Sequence, residues 1–258
     1  MPVARSNGFK IAYEVAGEGP PLLLHPGMFQ IGAHWDRAGY TAPLAAAHTV
    51  VTVDPLGLGA SDAPRDPAAY ALERRAAYVV AVLDDLGIGR AAFWGYSLGA
   101  LTGYAVAAHA PERLTRLVAG AFDPLDGFRS AVGPTLDHLG LPADTDPYPL
   151  MERGAAADPA QAAVIENGDP EALRANYAAF SREPGLHAEL AASGVPTLMY
   201  AGTADPWHEP MRTFAERTGT AFFSVPDADH QGGWDRAADV LRRVRPFLDA
   251  PQSSGKEK

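Results

Sequence analysis

Ala91-Ala92-Phe93-Trp94-Gly95-Tyr96-Ser97-Leu98-Gly99-Ala100-Leu101 is the stretch whose reading decides the fold. Four apolar residues run without a charge into Gly95, as a strand buried on both faces does. A helical pattern starts near Leu98 and continues to His109. The serine therefore sits where strand turns to helix, between two glycines. So tight a turn needs glycine on both sides and leaves the hydroxyl projecting at the carboxyl end of a sheet. That is the expected context of a nucleophile elbow, and it holds the serine backbone under strain.

Working outward, strand and helix patterns alternate. Phe9 to Val15 alternates apolar and polar residues, and the Gly17 to Pro21 cluster turns into Leu22-Leu23-Leu24, which predicts a hairpin feeding a buried strand. Ahead of it, Met1 to Gly17 reads as a short strand leading into a second one. Thr49 to Val53 is a β-branched strand ended by Asp54-Pro55. Leu72, Ala76, Val79, Val80, Leu83 and Leu86 follow the 3.6 period, with Gly87 as the stop. Leu114 to Val118, Thr197 to Tyr200 and Phe222 to Val225 are further apolar runs, with a helix ending near Arg217 and a last one carrying Ala237, Val240, Leu241, Val244, Phe247 and Leu248 on one face. Such a series predicts an α/β fold, a mainly parallel sheet covered by helices on both sides. Between Phe122 and Gly194 only short helical patterns occur, separated by Gly and Pro. The expected organisation is one core domain from residues 1–121 and 195–250, a helical cap over 122–194, and a polar tail over 251–258.

The serine needs a base to take its proton and an acid to orient that base, in the chain order serine, acid, histidine. Of the late histidines, His230 follows the Phe222 to Val225 run and precedes the final helix, so it is preferred to His208. The earlier ones, His34, His48, His109, His138 and His187, read as surface or core residues. Asp205, just past the Thr197 to Tyr200 strand, is the expected acid, with Asp123 the fallback. Asp227 and Asp229 read as loop residues shaping the approach to His230. The oxyanion that forms during acyl transfer needs two N–H donors. Leu98 supplies one, and the loop His25-Pro26-Gly27-Met28 the other. Pro26 has no N–H, so Gly27 is favoured and Met28 is the alternative. Phe29, Tyr96, Phe122 and Trp207 are expected among the walls of an apolar substrate pocket, in a set that includes Met28, Trp35, Trp234, Phe128, Met151, Tyr177 and Phe180.

These features together resemble the α/β-hydrolase superfamily from Phe9 to Leu248, including the glycine-rich Asp54-Pro55-Leu56-Gly57-Leu58-Gly59-Ala60-Ser61-Asp62. Many relatives carry His-Gly where this chain has His25-Pro26, and Arg where it has Leu56. Because Ser97 stands at the nucleophile position, the chain looks unlike the dehalogenase and epoxide-hydrolase branches. The resemblance implies an esterase-like serine hydrolase acting on a small, lipophilic ester without a cofactor. Lactonase and carbon-carbon hydrolase activity on the same triad, or a low-turnover ligand-binding protein of the same fold, are the alternatives.

Composition narrows the classes further. The 258 residues carry a net charge of −10, so no basic stripe is offered to nucleic acid or to an anionic membrane. Without cysteine there is neither disulfide nor thiolate chemistry. No closely spaced histidine pair or Walker-type lysine loop is present, so no metal or nucleotide is expected. Gly57-Leu58-Gly59 has Asp62 where a dinucleotide-binding loop needs its third glycine. The start of the chain lacks the pattern of a signal peptide and no apolar run reaches a membrane-spanning length, so the expected location is the cytoplasm. The sequence is silent on oligomeric state.

Overall fold

The computed structural model describes residues 1–251. Of the expected tail, 251–258, all but Pro251 lies outside the described residues. Eight strands among the described residues form one sheet: β1 (Val3–Ser6), β2 (Phe9–Ala16), β3 (Pro21–His25), β4 (Thr49–Val53), β5 (Ala91–Tyr96), β6 (Leu114–Gly120), β7 (Thr197–Gly202) and β8 (Ala221–Val225). Their spatial order is β1-β2-β4-β3-β5-β6-β7-β8. The β1–β2 and β2–β4 pairs are antiparallel and the others parallel.

The order corrects one expectation. β2 and β3 do not form a hairpin, because β4 lies between them. The hairpin is instead β1–β2, closed by Asn7 and Gly8, both at positive φ. A two-residue Asn-Gly loop is the strongest short hairpin signal, since both residues tolerate the left-handed region that a twisted ribbon requires. β3 is buried along most of its length and pairs in parallel with β4 and β5, a central position that its Leu22-Leu23-Leu24 run suits.

Alternate side chains of the strands enter two separate cores. Leu23, Val51, Phe93, Leu117 and Met199 join one cluster, against α3 (Leu72–Asp85), α4 (Leu98–His109) and α10 (His208–Thr218). Leu22, Leu24, Val50, Trp94, Val118 and Tyr200 join the other, against α1 (Ala33–Arg37), α2 (Thr41–Ala45), α11 (His230–Asp235) and α12 (Ala237–Asp249). The period of two along each strand is thus what fills both layers. α3 ends where expected, with Gly87 at φ 66° two residues past its last helical residue.

Two features position the carboxyl edge of the sheet. Asp54, buried at the end of β4, accepts from Gly32 N–H at 2.9 Å and from Ala60 N–H at 2.9 Å, while its own carbonyl accepts the Ser61 hydroxyl at 2.6 Å. One carboxylate therefore fastens the loop after β3 to the glycine-rich loop. Leu56, where many relatives carry Arg, is buried in the apolar core. The second feature is the segment between β6 and β7, which holds α5 (Arg129–His138), α6 (Tyr148–Ala155), α7 (Pro159–Asn167), α8 (Pro170–Phe180) and α9 (His187–Ala192). No strand occurs in it. Asp158 and Asp169 cap α7 and α8 through their side chains, each ahead of a proline at the first helical position, which is why these short helices start where they do.

Candidate active site

Ser97 stands between β5 and α4 with φ 54° and ψ −120°, a conformation a non-glycine residue adopts only under constraint. The glycines beside it have steric reasons. A Cβ on Gly95 would stand 2.1 Å from the Gly99 carbonyl oxygen, and one on Gly99 would stand 2.0 Å from the carbonyl oxygen of His25. The helix can therefore start this close to β3 and β5 only with hydrogen at both positions.

Asp205 follows β7 and is 4% exposed. One of its oxygens accepts the Trp207 N–H at 2.9 Å, and the other lies 2.8 Å from His230 Nδ1. A carboxylate can only accept, so in this contact Nδ1 carries the ring proton, and in the neutral ring Nε2 is the bare nitrogen. His230 is the first residue of α11, whose start Asp229 caps through Gly232 N–H. The histidine is held from both sides: the Tyr96 ring lies at 5.4 Å and the Trp207 ring at 5.0 Å, centroid to centroid. The Tyr96 hydroxyl donates to the His230 carbonyl at 2.6 Å. Burial, with the Asp205 charge adding to it, raises the Tyr96 phenol well above its ordinary range, so it stays protonated as that donor.

Ser97, Asp205 and His230 line one cavity of about 1080 Å³. Ser97 Oγ makes no hydrogen bond to the His230 ring among the described residues. The other acids and bases are committed elsewhere. Asp123 accepts from Leu125 and Asp126 N–H at 2.8 and 3.0 Å, closing a turn, and burial raises its carboxyl. His208 is tied to the Ser224 hydroxyl and to Glu209.

Gly27, favoured from the sequence as the second oxyanion donor, is engaged within its own loop. Its N–H donates to Gln30 Oε1 at 2.9 Å. Among the described residues the N–H groups of Met28 and Leu98 donate to no protein acceptor, so these two are the free pair beside Ser97. Nothing in the spacing His25-Pro26-Gly27-Met28 could reveal that a side chain three residues on would occupy the glycine.

The walls of the cavity match the expectation in part. Met28, Phe29, Tyr96, Met151 and Trp234 line it. Phe122 and Trp207 do not: they pack on each other at 5.2 Å behind the histidine, and the Trp207 indole donates to the Gly127 carbonyl at 3.1 Å. Trp35 belongs to the core cluster with Tyr40, Trp94 and Trp234, while Phe128, Tyr177 and Phe180 pack edge to face among themselves. Residues that sequence reasoning missed supply the opposite wall: Pro134 and His138 from α5, and Asp158, Pro159 and Gln161 from the start of α7. Among the described residues, no group of three or more His, Asp or Glu side chains is placed to hold a metal ion. No helix among them is long and apolar enough to cross a membrane.

A family model for the alpha/beta hydrolase fold matches residues 20–132, from β3 through the serine turn into α5. This chain is an α/β-hydrolase-fold protein. By structure the likeness extends over 96% of the chain. The enol-lactonase from Burkholderia xenovorans LB400 is similar at 26% identity and a TM-score of 0.77, over 96% of this chain and 100% of that one. A hydrolase from Pseudomonas aeruginosa PA01 is 28% identical with a TM-score of 0.76, over 96% and 97%. An esterase from Thermogutta terrifontis shares the hydrolase fold at 22% identity and a TM-score of 0.76, over 95% and 96%. No curated protein matches the chain significantly.

Proposed function

We propose that this protein is a serine hydrolase that cleaves a small carboxylic ester or lactone through an acyl-enzyme. The observation that carries the reading is the strained Ser97 in one cavity with a His230 whose Nδ1 is taken by buried Asp205, 2.8 Å away. His230 Nε2, left bare, removes the Ser97 proton as the hydroxyl attacks the carbonyl. Catalytic hydrogen bonds of this kind commonly tighten only when substrate is bound. The oxyanion is received by the Met28 and Leu98 N–H groups, which lose no bond to a protein acceptor in doing so. Collapse of the tetrahedral intermediate returns the proton from His230 to the departing alcohol, and water then attacks the acyl-enzyme by the same steps in reverse order of roles.

The segment 122–194 acts in this reading as a cap, since α5, α6 and α7 supply one wall of the cavity. That wall mixes Met151 and Pro134 with Gln161, His138 and Asp158, so it offers polar contacts beside an apolar surface in a cavity of about 1080 Å³. Lactones belong among the substrates to be tried, because an enol-lactonase is similar to the chain over nearly its whole length.

The test is a panel of 4-nitrophenyl esters and lactones with the wild type and Ser97→Ala, alongside labelling by a fluorophosphonate. Ester turnover with labelling of Ser97, and a loss on the order of 10⁶ in turnover for Ser97→Ala, is the expected outcome. Equal activity in the two proteins would end the proposal.

A further inference from the structure

The turn Gly27 to Gln30 is latched twice. Gln30 N–H donates to the Gly27 carbonyl at 3.3 Å, and Gly27 N–H donates to Gln30 Oε1 at 2.9 Å. Between them Phe29 sits at φ 61°, the position that favours glycine in a type II turn. A bulky residue there is strained, and such strain persists only where the surroundings over-determine it. Those surroundings are visible: the Phe29 ring is buried and meets Tyr148 at 6.0 Å, Gln30 is 5% exposed, and Asp54 grips Gly32 just beyond.

The latch touches the reacting centre. A point one Cβ bond out from Gly27 lies 3.0 Å from Gln30 Oε1 and 3.2 Å from Ser97 Cβ. Three N–H groups, of Gly27, Met28 and Leu98, therefore stand near the serine, and a single oxyanion can be served well by two of them from different loops. Without an acceptor of its own, the Gly27 N–H would be a buried unpaired donor, and rotating its peptide toward the cavity would be the way to satisfy it. That rotation would also turn the following peptide, the one that carries the Met28 N–H.

We propose that Gln30 is a positioning residue for the oxyanion hole: by accepting the Gly27 N–H it fixes the peptide register of the loop, so that Met28 and not Gly27 pairs with Leu98. The role rests on the serine-hydrolase reading above; Gln30 lines the same cavity as Ser97 and acts there through the Gly27 peptide. Its chemistry is that of a neutral acceptor. A carboxylate in its place would hold the same N–H but set a negative charge beside the developing oxyanion.

The experiment compares wild type, Gln30→Met, Gln30→Asn and Gln30→Glu on 4-nitrophenyl acetate at pH 8, together with inhibition by a short alkyl trifluoromethyl ketone, which forms a tetrahedral adduct on serine. Methionine matches glutamine in length and offers no comparable acceptor. The expected result for Gln30→Met is a fall in kcat of about tenfold or more, short of the ~10²–10³ for deleting a donor outright. KM should stay within about twofold, and affinity for the ketone should fall in parallel with kcat, which is the signature of lost transition-state stabilisation. A wild-type kcat, or a raised KM at unchanged kcat, overturns the proposal. If Gln30→Met does not fold, as thermal unfolding would report, Gln30→Asn decides, because its amide is one methylene too short to reach the Gly27 N–H: a lower kcat and weaker ketone binding at constant KM support the proposal, wild-type values overturn it, and Gln30→Glu, which keeps the acceptor, reports only the effect of the added charge. A wild type that neither turns over the ester nor labels with a fluorophosphonate would instead count against the serine-hydrolase reading itself.

Discussion

His25, at the end of β3 and directly before the oxyanion loop, should make the stability of the fold fall on mild acidification. The ring is 6% exposed, stacks on Phe93 at 6.1 Å and contacts the Pro26 carbonyl through Nδ1 at 2.9 Å. A carbonyl only accepts, so the proton sits on Nδ1 and the ring is neutral. Burial lowers its pKa from 6.5 to about 4, with the Arg75 charge acting in the same direction. Unfolded, the same residue titrates near its ordinary value. Between the two values the unfolded chain binds the extra proton, so stability rises with pH across that window and is lost as pH falls through it. From pH 7 to pH 5 this one group accounts for about 2 kcal/mol, which in a chain of this size is roughly 4–8 °C in melting temperature. His25→Asn is the informative perturbation, because its side-chain amide can replace the Nδ1–H donor but cannot titrate. Loss of the ring contact with Phe93 lowers stability at every pH alike. The assay is urea unfolding of both proteins at pH 7, 6 and 5, and the quantity read is the difference between their pH slopes. Parallel slopes would refute the reasoning, since carboxylates titrating in both proteins cancel in that comparison.

Asp205→Asn should keep the loop, because the Trp207 N–H still finds an acceptor, but the amide nitrogen then faces His230 and reverses its tautomer. Turnover of an aryl ester should fall about 10⁴-fold with little change in KM. Asp123→Asn, by contrast, retains the acceptor that closes its turn, and its activity should stay within about threefold of wild type; a loss comparable to that at Asp205 would reassign the acid. Tyr96→Phe removes one hydrogen bond, to the His230 carbonyl, worth about 1 kcal/mol, so the melting temperature should fall by roughly 2–4 °C and kcat should drop by up to about fivefold. An unchanged kcat would mean that Tyr96 packs the histidine without orienting it.

Interior parallel strands were legible because burial on both faces leaves no polar alternation to dilute the signal, as in Leu22 to Leu24 and Thr49 to Val53. The neighbours of a strand were not. Nothing local says that β4 enters between β2 and β3, although Asn7-Gly8 did carry the true hairpin. At the site, Ser97 was legible from the steric demand on Gly95 and Gly99, and the placements of Asp205 and His230 followed from the strands before them. The engagement of the Gly27 N–H was not, because it turns on a side chain, Gln30, folding back on the backbone. Pocket walls were the least legible: proximity in sequence to a catalytic loop does not say which way a ring points, and Phe122 and Trp207 turn inward to each other.

The chain leaves the sheet after Gly120 and rejoins it at Thr197 on the neighbouring strand, with Leu117 N–H bonded to the Pro196 carbonyl at 2.9 Å. Because β6 and β7 run parallel, the segment departs at the carboxyl edge of the sheet and returns at its amino edge, a crossover that must span the height of the sheet and whose entropic cost then rises only slowly with added length. Residues added to or removed from that crossover would leave the Ser97 turn and the Asp205–His230 contact where they are, because the strands that hold them lie outside it.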